Sequence, residues 1–137
     1  MSKLNQKRLA AFTLSELLVV LVIIGILVLL ALPSLMPLIT RTRSIEAKQA
    51  LKHVHTLQKT YYYEYSRFSD NLDQIGFEQE GLVSEEAGNA NYLIEIIEAT
   101  PTTYVARATA QVDFDGDGVM NIWEIDQDGN MLETQKD

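Results

Sequence analysis

The sequence contains no cysteine, which excludes disulfide stapling, thiolate nucleophiles and cysteine-ligated metal sites. Histidine is scarce as well. His53 and His55 stand two apart, point in different directions on a helix and therefore read as solvated side chains instead of a shared metal site. Basic residues are nearly missing from the second half, where 16 acidic residues from Phe68 onward face only Arg107 and Lys136. So acidic a surface argues against nucleic acid and anionic membrane as partners of that half, and favours cations or basic surfaces. No serine nucleophile stands with a base, no glycine-rich phosphate loop occurs, and no buried acid pair is expected beyond the acids of one loop near the C-terminal end. The chain therefore reads as a non-enzyme.

What the chain has in abundance is one apolar run. From Leu17 to Ile39 only Ser34 is polar and nothing is charged. About 23 residues at about 1.5 Å each give roughly 35 Å, enough to cross a bilayer core as a helix. Pro33 and Pro37 fall inside this run, and the lost backbone bond predicts a kink or local melting near Pro33. Gly25 reads equally well as a close-packing point between spans or as a glycine without a role. Glu16 stands one residue before the run, where an unpartnered carboxylate in hydrocarbon costs several kcal/mol or more. One explanation is a headgroup-level carboxylate favoured by the helix dipole. The other is a partner that the apolar run does not itself supply.

The residues KRLAAFTLSELLVVLVIIGILVLLALP resemble the prepilin N-terminus shared by type IV pilins and the pseudopilins of type II secretion systems. The resemblance implies a basic leader, residues 1–11, cut by a prepilin peptidase between Ala11 and Phe12. It also implies methylation of the new Phe12 amine and a role for Glu16 in polymerisation; that amine can pair with Glu16 four residues on in the same chain or, in a staggered bundle, with Glu16 of a neighbour. The family usually carries Gly where this chain has Ala11. Loss of the leader removes Lys3, Lys7 and Arg8 and no acid, taking the formal charge from -8 to -11. Arg41, Arg43, Lys48 and Lys52 follow the span, so a positive-inside count does not orient it. The resemblance supplies the orientation: a bacterial inner-membrane protein with one span and its head outside the cytoplasm, later part of a filament at the cell surface or in the periplasm.

Beyond Ile39 the period persists on one face. Leu51, Val54, Leu57, Tyr61, Tyr65 and Phe68 form an apolar stripe beside a basic one of Lys48, Lys52, His55 and Lys59. One helix from near Phe12 to near Arg67 is expected, with Tyr61, Tyr62, Tyr63 and Tyr65 divided between core packing and ordinary surface. Ser69 can cap a short helix that Gly76 ends, and residues 78–91 read as an acidic surface loop. Tyr92–Glu98, Thr103–Val112, Met120–Asp126 and Asn130–Thr134 are rich in strand formers. Asp128-Gly129 suits a two-residue hairpin turn. The expected fold is α+β: a long N-terminal helix, transmembrane then amphipathic, against a small antiparallel sheet of about four strands. The domains are the leader 1–11, a transmembrane and assembly helix 12–39, and a pilin-like head 40–137.

Asp113 to Glu124, DFDGDGVMNIWE, matches the calcium-loop pattern of acids at positions 1, 3 and 5, glycine at 6, a carbonyl at 7, Asn at 9 and Glu at 12. The expected ligands are Asp113, Asp115, Asp117, the Val119 carbonyl, Asn121 and Glu124. Three carboxylates this close repel unless a cation joins them, which favours calcium over a plain Asp/Gly turn. Strand-like flanks count against a helix-loop-helix hand and make Glu124 the weakest ligand, with Asp126 a possible substitute. The function expected is therefore a structural subunit of a type IV pilus or a type II secretion pseudopilus, with a calcium-stabilised head. Its partners are further copies of itself, prepilin peptidase, the inner-membrane assembly machinery and lipid before assembly, with no nucleic acid. The alternative is a single-pass calcium-binding membrane protein that does not polymerise.

Overall fold

The computed structural model describes residues 11–137, so the expected leader lies outside the described residues except for Ala11. The chain falls into two units that divide between Leu35 and Met36. Helix α1 (Leu14–Tyr65) enters both. In the first unit every residue from Ala11 to Leu35 is exposed, including Leu17, Leu21, Leu29 and Leu30. The helix is long and apolar enough to cross a membrane, and its apolar stretch buries nothing within the chain. Local melting at Pro33 is not found: helical structure runs unbroken through Pro33 and Pro37.

In the second unit the amphipathic part of α1 covers a four-stranded sheet. The strands are β1 (Tyr92–Ala99), β2 (Tyr104–Ala110), β3 (Ile122–Asp126) and β4 (Met131–Gln135), in the order β1-β2-β3-β4. All neighbours are antiparallel, with Ile94 opposite Ala108 and Ala106 opposite Ile125. This is the α+β arrangement expected. Strand β2 sits in the middle and alternates strictly, burying Tyr104, Ala106, Ala108 and Ala110. Three small side chains in that row leave room for Leu51 and Val54, both fully buried in the same cluster. Burial of a Leu or Val side chain stabilises the fold by about 1.5 to 3 kcal/mol each.

Three details depart from the expectations. The fully buried positions of α1 are Ala47, Leu51, Val54 and Gln58, while Leu57 and Tyr61 lie half-buried and Tyr65 is exposed. Gln58 takes the core row because its side chain satisfies a backbone. It donates to the Ser69 carbonyl at 2.7 Å and accepts from the Ser69 N–H at 3.0 Å. The helix stops at Tyr65 because Ser66 turns left-handed at φ 55°, and Phe68 then folds back, stacked on Tyr62 at 4.8 Å. The short helix is one 3-10 turn, Asp73–Ile75, with no side-chain cap at Leu72; Ser69 instead holds the Asn71 N–H, and Gly76 does end the turn at φ 76°. The β3–β4 connection has four residues, Gln127 to Asn130, instead of two. The Asp126 carboxylate accepts from the Asp128 and Asn130 amides at 2.9 Å each, and that longer bridge replaces the tight turn.

The acidic loop between the 3-10 turn and β1 closes on itself, with Val83 donating to the Ala90 carbonyl and Ala90 to the Gly81 carbonyl, both at 2.9 Å. Gly88 lies so close to the Leu82 backbone that any Cβ there would overlap the Leu82 carbonyl.

Candidate functional site

Two groups of residues carry the chemistry. At the start of α1, Thr13 precedes the first helical residue and Glu16 stands three further on. The Glu16 carboxylate accepts from the Thr13 N–H at 2.7 Å and from the Thr13 hydroxyl at 2.9 Å, while the Glu16 N–H donates to the Thr13 hydroxyl at 3.3 Å. This is a reciprocal capping box, in which two otherwise orphaned donors of the first turn find acceptors. The Thr-x-x-Glu spacing could have revealed it in the sequence. Phe12 is exposed just outside the helix, four residues from Glu16. The carboxylate therefore has local donors in the single chain and still stands at an exposed surface.

The second group is the loop between β2 and β3. Asp113, Asp115 and Asp117 bring carboxylate oxygens within 4.8 Å of one another. Each is aimed by the loop backbone: Asp113 accepts from the Gly116 and Gly118 amides, Asp115 from Asp117 at 3.0 Å, and Asp117 from Val119 at 2.7 Å. Gly116 and Gly118 take φ of 84° and 88°, a left-handed backbone that glycine alone adopts cheaply. The Gly118 amide, with those of Gly116, Asp115 and Asp117, holds the Asp113 carboxyl below its ordinary range against some desolvation. Asp115 moves the other way. The Asp117 amide lowers it, but desolvation and the charges of Asp117, Asp137 and Asp113 outweigh that bond and push it up. The loop thus concentrates negative charge that its own amides only partly offset.

The remaining predicted ligands are engaged elsewhere. Asn121 is fully buried; its oxygen accepts from the Tyr92 hydroxyl at 2.8 Å, and its amide donates to Glu133 at 2.7 Å. Its own burial pushes the Tyr92 hydroxyl up to about 12. Glu124 pairs across the sheet with Arg107 at 2.7 Å. Asp126 caps the β3–β4 connection, and the Asn130 and Asp128 donors hold its carboxyl low although burial opposes them. A carboxylate that the calcium-loop spacing does not include lies at the loop instead. Asp137 accepts from the Phe114 amide at 2.9 Å and the Asp115 amide at 3.2 Å.

Comparison with known proteins decides what these elements belong to. Residues 6–32 match the prokaryotic N-terminal methylation motif, and residues 33–119 match the family described as type IV minor pilin ComP, DNA uptake sequence receptor. The chain belongs to the type IV pilin family. A curated relative, the type IV major pilin protein PilA of Myxococcus xanthus (strain DK1622), is 44% identical over 69 residues. That match covers 50% of this chain but 31% of the relative, so the pilin here spans only a fraction of the curated protein it resembles.

Three further residues of this pilin tie its helix to the rest of the head, and the apolar pattern hid all three. Glu46 accepts from the backbone and side-chain amides of Asn91 at 2.6 Å each. Gln58 clamps Ser69, as above. His55, expected in solvent, is half-buried and shares a 2.6 Å hydrogen bond with the Tyr104 hydroxyl. Burial, then the Lys59 charge, pushes the imidazole down, against the opposing pull of Asp126 and Asp128. A polar residue next to an apolar stripe signals such contacts only weakly, because the partner stands far away in sequence.

Proposed function

We propose that this pilin is made as a precursor, cut between Ala11 and Phe12, methylated on the Phe12 amine and polymerised through α1 into a type IV pilus. The observation that carries this reading is the coincidence at one helix start of the matched methylation motif, Phe12, Glu16 and an apolar surface left wholly exposed. An apolar helix surface of that extent must be covered by lipid or by other helices. Before assembly the helix crosses the inner membrane, with the head outside the cytoplasm. In the filament the ammonium of one subunit compensates Glu16 of its neighbour and sets the axial register. Both comparisons that name an assembly name type IV pili, which favours a pilus over a type II secretion pseudopilus. Mass spectrometry of the membrane fraction tests the first step. A main N-terminus at Phe12 is expected, and intact Met1 or Ser2 would overturn it and leave the single-pass, non-polymerising alternative.

The head of this subunit takes calcium at the Asp113 loop. Asp113, Asp115, Asp117 and the Val119 carbonyl would hold the ion, with Asp137 the nearest further carboxylate; Asn121 and Glu124 have other work. Hard oxygen donors of high charge suit Ca²⁺, which takes six to eight oxygens and so would keep water too. The ion's chemistry there is structural: it would neutralise carboxylates and brace a loop that has no disulfide. DNA binding, named in the matched family's description, is not carried over to the head, whose charge past Arg67 is overwhelmingly acidic. A gel-shift titration with duplex DNA at low salt should show no binding by the head; salt-sensitive binding there would overturn this exclusion.

A further inference from the structure

The charges on α1 in the second unit are unevenly distributed. Arg41, Lys48, Lys52 and Lys59 are spaced by 7, 4 and 7 residues, which at 3.6 residues per turn puts them within about 40° of one another. This row lies on the β3–β4 side of α1. Lys48 stands over the Trp123 ring at 4.2 Å, and His55, on the same side, packs against Gly129. Glu46 lies about 140° round the helix from Arg41 and binds Asn91 at the start of β1. There a groove of about 380 Å³ is lined by Glu46, Glu78, Glu80, His53, Phe77 and Tyr92. One side of α1 thus carries a row of cations, with Asp126 and Asp128 beside His55 at its end, and the other an acidic groove with Arg43 nearby on the helix.

Among the described residues neither patch forms a salt bridge of its own. Among the described residues the one salt bridge is Arg107–Glu124, so no cation of the row and no carboxylate of the groove has an ionic partner. We propose that the lysine row of one subunit docks against the acidic groove beside β1 of a second copy of this chain. This interface rests on the polymerising reading above. Two unlike, complementary patches on one chain make a heterologous contact, and a contact that does not close on itself propagates into an open helical filament. Like flanks repel, so the same charges disfavour side-by-side pairing of identical faces. The interface acts at the level of the heads, distinct from helix packing in the apolar stretch.

The absence of cysteine makes a clean test possible. Filaments of the full chain carrying both Lys52→Cys and Glu80→Cys should yield a ladder of disulfide-linked oligomers on mild oxidation, and either single variant should yield monomer. Lys52→Glu with Lys59→Glu, or Glu78→Lys with Glu80→Lys, should each reduce filament yield, and the four changes together should restore it. Normal filaments from the double-cysteine chain with no ladder, or dimers from one single variant, would overturn the proposed contact. Failure of the unaltered chain to form filaments at all would instead overturn the subunit reading beneath it.

Discussion

The two parts of α1 obey the same backbone rule and solve opposite surface problems. From Leu17 to Leu35 every side chain is exposed, and no row is more apolar than another. From Met36 to Tyr65 one row is buried to the last atom, at Ala47, Leu51, Val54 and Gln58, while cations crowd a neighbouring row. The second part has its cover in its own chain, under the Tyr104, Ala106, Ala108 and Ala110 row of β2. The first part finds none there. The difference teaches where each source of order lies: the head is specified within one chain, whereas under the proposed function the apolar part takes its environment from lipid or from other subunits.

The comparison is broken most severely by removing the one charge at the start of the apolar part. Glu16→Val should leave cleavage and membrane insertion intact while removing most surface filament, because the subunit loses its charge-paired register; quantifying sheared filaments against membrane-held chain checks this. Normal filament yield would mean that the Thr13–Glu16 capping box is the whole role of the carboxylate. In the second part the largest effect should come from the core row instead. Leu51→Ala removes a fully buried side chain and should destabilise the head by about 2 to 5 kcal/mol in a denaturant titration. The matching change Leu21→Ala, at an exposed position, should leave head stability unchanged.

The Asp113 loop sharpens the contrast within the head. Ca²⁺ at about a hundred times Kd would stabilise the folded state by roughly 2.7 kcal/mol, enough to raise the melting temperature of a small head by several degrees. Residues 36–137 melted in excess Ca²⁺ and in chelator should differ by that amount, and Asp115→Ala or Asp117→Ala should lose most of the response. Glu124→Ala should lose less, since Glu124 already pairs with Arg107. Equal melting with and without Ca²⁺ would remove the ion from this account. The smallest effect expected is at His55, whose pKa falls on folding from the ordinary 6.5. A base held neutral by the fold contributes stability that is complete above the unfolded pKa and is lost as pH falls through the folded one. Head stability should therefore decline modestly as pH drops below about 6.5, and His55→Gln should flatten that part of the profile. An unchanged slope would assign the decline to other groups.

The helix, the four strands and the carboxylate cluster were legible because each rests on local pattern: an unbroken apolar run, alternation in Tyr104–Ala110, and acids at every second position from Asp113. What the pattern hid depends on contacts across long stretches of chain. Gln58 sits in the core row because Ser69 returns to it, and His55 is half-buried because Tyr104 arrives from the sheet. Asn121 and Glu124 fit the spacing of a calcium loop, but β3 begins at Ile122. Strand alternation then sends Asn121 into the core beside Tyr92 and turns Glu124 toward Arg107. The carboxylate that does reach the loop, Asp137, comes from beyond β4, where no loop motif looks for it.

The most direct test of the account is the composition of surface filaments sheared from cells that express the full chain. The account predicts this chain as a component of those filaments, beginning at Phe12 and heavier there by the mass of a methyl group. Filaments that lack it, or that contain it with Met1 or Ser2 still in place, would contradict the claim that the exposed apolar part of α1 is covered by other copies of itself.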